Sequence, residues 1–305
     1  MNSISSLADT LVALHGTLMA GEAPSSLPIQ APVDASVPPE QAAVMQACQR
    51  LGFIARDAQC VAQAWQRQSE RTGHFDPQAW PDQPVDFGMR AWPRQDAFPA
   101  CPQHLGLYAV LPDAAWVGRM ARAGVPTVQL RFKSDDRAAI RREIQAAVRA
   151  VESTPALLFI NDHWEDAIEA GAYGLHLGQE DLADAPLERI RASGIRLGVS
   201  THGYAEMMLA DLVSPSYLAL GAVFPTTLKR MATAPQGTGR LQAYARLMRQ
   251  YPLVAIGGID LDKLPQVMSS GVGSVAVVRA ITAADDPEQA ARNFIRTMES
   301  GKAPK

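Results

Sequence analysis

From residue 105 onward, short apolar runs alternate with segments whose apolar positions recur at helical spacing. The runs are GLYAVLP from Gly106, TVQLRFK from Thr127, ALLFIND from Ala156, GLHLGQ from Gly174, RLGVST from Arg196, YLALGAVFP from Tyr217, PLVAIGGI from Pro252 and SVAVVRAI from Ser274. Runs of this length and composition predict strands, and the intervening segments predict helices. Eight parallel strands joined by crossover helices predict an α/β fold, a (β/α)8 TIM barrel of compact size. An open doubly wound sheet is the competing architecture. It is disfavoured because no run leads into a Gly-x-Gly-x-x-Gly turn with an acidic residue about twenty positions on.

Upstream the pattern differs. Residues 21–39, GEAPSSLPIQAPVDASVPP, are rich in Pro, Ser and Ala and have little to bury, so residues 1–39 read as a flexible or extended N-terminal segment. Apolar residues on both sides of LGF at 51–53 then recur at helical spacing, which predicts an αα-hairpin. The Pro- and aromatic-rich stretch FDPQAWPDQPVDFGMRAWPRQDAFPACP cannot be regular structure. The expected organisation is a hairpin plus connector over 40–104 and a short helical N-terminal extension to a barrel over 105–300.

The chain has 305 residues and a formal net charge of -3. Balanced charge creates no long-range field for nucleic acid or an anionic membrane, and no apolar run nears the roughly 18 residues of a spanning helix. The first Lys or Arg is Arg50, so the start lacks the basic region of a secretory signal, and a cytoplasmic protein is expected. Cys48, Cys60 and Cys101 are odd in number and lack CxxC spacing, which argues against a disulfide framework or a zinc site. As a DNA-binding helix-turn-helix the hairpin would need a basic face, and its charges nearly cancel. It is expected to pack on the barrel or to serve a homo-oligomer contact.

Barrel active sites lie at the C-terminal strand ends, and those ends are polar here. The second run places Gln129, Arg131 and Lys133 on one face by period-two alternation. The third ends in Asn161 and Asp162, and the fourth carries His176 and Gln179 and leads into Glu180 and Asp181. Ser200, Thr201 and His202 close the fifth, Thr226, Thr227 and Lys229 the sixth, and Gly257 and Gly258 the seventh. Only five of the 28 basic residues are Lys, and Lys133 and Lys229 are two of the three outside the tail that holds Lys302 and Lys305. A compact ammonium charge is therefore placed at two strand ends of a chain that otherwise uses Arg.

Asp162 and Asp181 would meet on one rim, where a hard cation relieves their repulsion. Two carboxylates without a nearby thiol fit Mg²⁺, which keeps waters and takes further ligands from substrate phosphates. Arg131, Lys133 and Lys229 would neutralise a diphosphate. The glycines of the seventh strand and the backbone near Val278 and Arg279 offer bare amides for a second phosphate. Each group has a plainer reading: Asp162 as a helix N-cap, Asp181 as a turn residue, His176 and His202 as satisfied histidines rather than bases, and the Gly pair as a tight turn. Their coincidence at one barrel face favours the functional reading.

The ordered set VQLRFK, FIND, GLHLGQEDL, GVSTH, GAVFPT, APQG, AIGGI and GVGSVAVV resembles the thiamine-phosphate synthase family over about Leu105 to Thr282. The resemblance implies Mg-dependent transfer of a hydroxymethylpyrimidine group from its diphosphate to the nitrogen of hydroxyethylthiazole phosphate. It also implies roles. Asp162 and Asp181 would hold Mg²⁺, and Arg131, Lys133, Asn161, Ser200 and Lys229 the diphosphate. Gln129 would contact the pyrimidine, and Thr226, Gly258 and the backbone near Arg279 would receive the thiazole phosphate, with His176, Gly257 and Val278 as further substrate-binding candidates. Two positions depart from the family pattern. Leu228 stands where the loop Thr-x-Thr-Lys has its second Thr, a loss of about 0.5–1.5 kcal/mol for one hydrogen bond, and Arg279 stands where the last strand usually has Ser. The rival readings are a thiazole-phosphate isomerase of the same superfamily and a non-catalytic phosphate sensor.

Overall fold

The computed structural model describes residues 3–21, 37–226 and 233–300. Three helices come first: α1 (Ser3–Met19), α2 (Pro39–Arg50) and α3 (Ala55–Thr72). The barrel units follow as β1 (Gly106–Leu111), α4 (Ala114–Arg122), β2 (Thr127–Leu130), α5 (Arg137–Val151), β3 (Leu157–Asn161) and α6 (Trp164–Glu169). Next come β4 (Gly174–Leu177), α7 (Gln179–Asp184), α8 (Leu187–Ala192), β5 (Arg196–Thr201), α9 (Tyr204–Val213), β6 (Tyr217–Leu220) and α10 (Gly237–Leu247). The last elements are β7 (Leu253–Ile256), α11 (Leu264–Met268), β8 (Ser274–Val277), α12 (Arg279–Thr282) and α13 (Pro287–Ser300).

The eight strands pair in chain order, all parallel, and β1 closes on β8 with Gly106 opposite Ser274. The fold is thus the TIM barrel read from the alternation of runs. The strands are four to six residues long, because tilted strands of that length suffice to enclose an interior filled by side chains. That interior holds Leu105, Tyr108, Val110, Phe159, Tyr217, Ala219, Val254 and Ala276. Phe159 and Tyr217 fit because Gly174 and Gly198 face them: a Cβ on either glycine would come within 2.2 Å or 2.1 Å of a ring atom. Local signals start the helices, as where Asp113 accepts from the Trp116 amide at 2.8 Å and Asp136 from the Ala138 amide at 2.8 Å.

Upstream, α1 differs from the flexible or extended segment expected there. Ala8, Leu11, His15 and Met19 recur at helical spacing and are buried, and α1 packs on α2 and α10. An apolar stripe of this kind orders once a partner surface exists, and the partner lies on distant parts of the chain. Residues 22–36 of the Pro-rich segment, with Lys302 and Lys305, lie outside the described residues. Helix α3 packs on α9. The connector wraps the barrel rather than hanging from it: Trp80 Nε1 donates to Tyr204 Oη at 2.9 Å, and Arg94 pairs with Asp211 at 2.8 Å, both side chains 3% exposed. Among the described residues no helix is long and apolar enough to cross a membrane.

Candidate active site

A cavity of about 880 Å³ opens at the C-terminal end of the barrel. Its walls include Gln129, Arg131, Lys133, Asn161, Asp162, His176, Asp181 and Ser200 on one side, and Thr226, Gly257, Gly258, Val278 and Arg279 on the other. The residues singled out at the strand ends therefore converge on this cavity, apart from Gln179, which is not part of its lining, and Thr227 and Lys229, which lie with Leu228 outside the described residues.

The acidic rim is built by backbone geometry. Asp162 follows β3 in the left-handed region at φ 68°, a conformation Asp tolerates better than most residues. Its amide donates to the His176 carbonyl at 3.0 Å, which ties the turn to β4. The carboxylate accepts from Lys133 Nζ at 2.6 Å. It does not cap α6, whose N-cap is His163 with no side-chain bond. Asp181 lies in the first turn of α7, one turn after Gly178, where a carboxylate is favoured by the helix dipole. Burial, then the Asp162 charge and a hydrogen bond shared with it, push the Asp181 carboxyl above the usual range, with Lys133 opposing. The two acids are thus neighbours that resist carrying charge together.

Lys133 reaches this place from the β2–α5 loop. Strand β2 stops at Leu130, so the period-two reading of QLRFK ran three residues too far; the Arg131 amide makes a last bond to the Leu111 carbonyl at 2.8 Å and the chain then turns. Gln179 likewise belongs to α7, not to the fourth strand, and its Nε2 donates to the Ser200 carbonyl at 2.7 Å.

Below the acids, Gln129 Nε2 donates to Asn161 Oδ1 at 3.1 Å. His176 is buried between Tyr217 and Ser200, with Nδ1 2.7 Å from Tyr217 Oη and Nε2 2.8 Å from Ser200 Oγ. Tyr217 Oη also lies 2.7 Å from Tyr108 Oη. Burial raises the pKa of both phenols, so both keep their protons. Where Tyr217 donates to Nδ1, Nε2–H donates to Ser200 Oγ and the Ser200 hydroxyl hydrogen is left for the cavity. The two tyrosines were missed in the sequence because an inward phenol in a strand reads as an apolar position.

On the opposite wall Gly257 and Gly258 have φ 107° and 65°. A Cβ on Gly257 would come within 2.7 Å of Ala222 Cα, and one on Gly258 within 2.6 Å of the Pro225 carbonyl. Lys263, the third lysine of the chain body, also lines the cavity, donating from Nζ to the Gly258 carbonyl at 3.2 Å and pairing with Asp260. Lysine scarcity was the signal that could have found it. His202 is held by Glu206, with Nδ1 2.6 Å from Oε2.

Among the described residues no group of three or more His, Cys, Asp and Glu could hold a metal ion. The donor set where Asp162 and Asp181 meet is those two carboxylates, with Glu180 and Asp260 elsewhere on the cavity lining. That set is too small for a closed zinc or calcium cage and fits an octahedral Mg²⁺ completed by water and substrate oxygens.

The sequence and the fold can be set beside known proteins. The thiamine monophosphate synthase family profile matches residues 107–281. The thiamine-phosphate synthase of Neisseria meningitidis serogroup B is 52% identical over 197 residues, 65% of this chain and 96% of that protein. That of Yersinia pseudotuberculosis serotype O:1b is 46% identical over 202 residues, 66% of this chain and 94% of that one. Among solved structures, a thiamine phosphate pyrophosphorylase from Pyrococcus furiosus superposes with a TM-score of 0.58 at 26% identity, covering 65% of this chain and 98% of that one. With the profile spanning more than half of the chain and the relatives aligned over nearly their whole length, the chain belongs to the thiamine monophosphate synthase family.

Proposed function

We propose that this chain is a thiamine-phosphate synthase whose chemistry is carried by the cavity at the barrel mouth. The observation that supports this reading most is the meeting of Asp162, Asp181 and Lys133 on one wall of a cavity whose other wall is a glycine-lined loop pair with Lys263 and Arg279. One wall suits a metal-bound diphosphate and the other a monophosphate. A two-substrate transfer needs both.

In this reading Asp162 and Asp181 hold Mg²⁺, which when bound neutralises the diphosphate and makes it a better leaving group. Arg131, Lys133, Asn161, Ser200 and Lys229 bind the diphosphate oxygens. Gln129, fixed by Asn161, orients the pyrimidine. His176, held by Tyr217, aims the Ser200 hydroxyl at the leaving group. Thr226, Gly257, Gly258 and the backbone at Val278 and Arg279 receive the thiazole phosphate. The C–O bond breaks with its electrons leaving on pyrophosphate, and the thiazole nitrogen then forms the new C–N bond to the methylene carbon of the resulting pyrimidine-methyl cation. Little proton transfer is required, so the residues contribute by positioning and by stabilising charge on the departing oxygens. The protein is cytoplasmic in this reading, and its partners are the two small-molecule substrates.

The test is an assay for thiamine phosphate and pyrophosphate with the two substrates, with and without Mg²⁺, and with Asp181→Ala alongside. Product from the parent but not from the folded variant is the expected result. A folded parent that binds either substrate yet forms no product would end the synthase reading.

A further inference from the structure

The N-terminal extension and the barrel meet along a buried polar seam, and the bonds there are reciprocal. Arg240 of α10 is 2% exposed. Its Nε donates to the Met19 carbonyl at 2.8 Å and its Nη2 to the Leu51 carbonyl at 2.7 Å, with the guanidinium 3.7 Å over the Phe53 ring. Met19 ends α1 and Leu51 is the C-cap of α2. A barrel cation thus satisfies the carbonyl ends of two extension helices, where the helix dipoles favour it. In the other direction, Asp57 of α3 accepts from the Ala205 amide at 2.8 Å. Helix α9 has Gly203 as its N-cap and no side-chain cap of its own. A Cβ there would fall within 2.1 Å of Asp57 Oδ2. The extension supplies from a distance the capping carboxylate that the barrel lacks.

Both bonds lead directly to the cavity. Ala205 follows Thr201 and His202, which line it. Arg240 Nη1 and Tyr244 Oη both donate to Gln236 Oε1, at 3.1 Å and 3.0 Å. The Gln236 amide donates to the Ala222 carbonyl at 2.8 Å, and its Nε2 to the Ala234 carbonyl at 3.0 Å. Ala222, Pro225 and Thr226 line the cavity too. Closeness adds to this: a Cβ on Gly239 would come within 2.1 Å of the Leu18 carbonyl, and one on Gly21 within 3.1 Å of the Pro235 carbonyl. If only packing were required, apolar contacts would serve without the desolvation that burying a guanidinium entails.

We propose that the N-terminal extension is a working part of this active site, with Arg240 and Asp57 as positioning residues that fix, from outside the barrel, the cavity-lining stretch 221–226 after β6 and the loop after β5. This role rests on the synthase activity inferred above. The Neisseria and Yersinia relatives align over 96% and 94% of their own length to 65% and 66% of this chain, so those two carry no counterpart of comparable length.

The experiment uses full-length Arg240→Met, Asp57→Ala, Asp57→Asn and Gln236→Glu. It reads kcat and KM for both substrates, the melting temperature, and hydrogen exchange at the amides of Ala205, Gln236 and Gly237. Asp57→Ala and Arg240→Met should lose tenfold or more in kcat/KM, chiefly through KM, with faster exchange at those amides under conditions where the chain is fully folded. Asp57→Asn keeps an oxygen for the Ala205 amide and should stay within threefold of the parent. Gln236→Glu keeps the acceptor for Arg240 and Tyr244, so the buried guanidinium stays paired, but it loses the donation to Ala234; read under conditions where it is fully folded, it should lose fivefold or more. Parent kinetics in the folded variants with only a lower melting temperature, or an Asp57→Asn as impaired as Asp57→Ala, would overturn the role. A parent that forms no thiamine phosphate would remove the synthase reading itself and this catalytic role with it, whatever the exchange shows.

Discussion

Replacing Gly258 by Ala tests whether the second wall of the cavity is built by close backbone approach. At φ 65° an Ala pays the left-handed penalty, about 1–2 kcal/mol, offset by about 0.4–1 kcal/mol because Ala is the stiffer residue when unfolded. Its methyl would also meet the Pro225 carbonyl at 2.6 Å and Phe224 Cβ at 2.8 Å. Overpacking against neighbours that cannot yield easily adds about 1–3 kcal/mol. Gly271 is the control: its φ is 91° and nothing lies within 4 Å of its added Cβ. Gly271→Ala should therefore cost about 1 kcal/mol, and Gly258→Ala about 1–3 kcal/mol more, in urea unfolding with an unchanged m-value. Since the clash pushes on the chain that carries Thr226, the same substitution should raise KM for the thiazole phosphate about tenfold, equivalent to about 1.4 kcal/mol, while Gly271→Ala leaves it alone. If Gly258→Ala unfolds no earlier than Gly271→Ala and binds the thiazole phosphate as the parent does, the packing of the β7 loop against Phe224 and Pro225 does not shape this site.

Tyr217→Phe removes the hydroxyl shared by Tyr108 and His176. Losing buried hydrogen bonds of this kind costs about 1–3 kcal/mol, and with Ser200 less firmly aimed kcat/KM should fall on the order of tenfold, equivalent to about 1.4 kcal/mol; parent kinetics in a merely less stable variant would remove the tyrosine from the account of the site. Asp57 supplies a pH dependence. Burial, against the opposing Ala205 bond and Arg240 and with Glu206 adding to it and His202 opposing, raises its pKa from 3.8 to about 6. A raised carboxyl contributes stability below its unfolded pKa and loses it as pH rises through the folded one, so the window is pH 4 to 6. Unfolding free energies of the parent relative to Asp57→Asn should fall across that window by on the order of 3 kcal/mol. A difference that stays flat from pH 4 to 7 would contradict the burial.

How much of this was written in the sequence depends on the range of the forces involved. Strand existence was legible because apolar runs of four to six residues alternate with helical periods, and barrel closure followed from their number. The polar strand ends were legible because that fold places chemistry there. Where β2 stops was not, since Arg131 to Lys133 continue the alternation and only the turn toward Asp162 ends it. Tyr108 and Tyr217 look like core residues until the barrel closes and sets their hydroxyls beside His176.

The chain alone therefore determined the barrel, the set of strand-end residues and the family resemblance, because local periodicity and short ordered motifs need no partner. Only the tertiary structure decided which of those residues touch and how the described helices of the first hundred residues pack. Helix α1 needs α2 and α10 before its stripe is worth burying, and Asp57 becomes a cap only when folding brings it to Ala205, 148 positions along the chain. Such contacts depend on three-dimensional closure rather than on sequence neighbours, and no window of the sequence contains them.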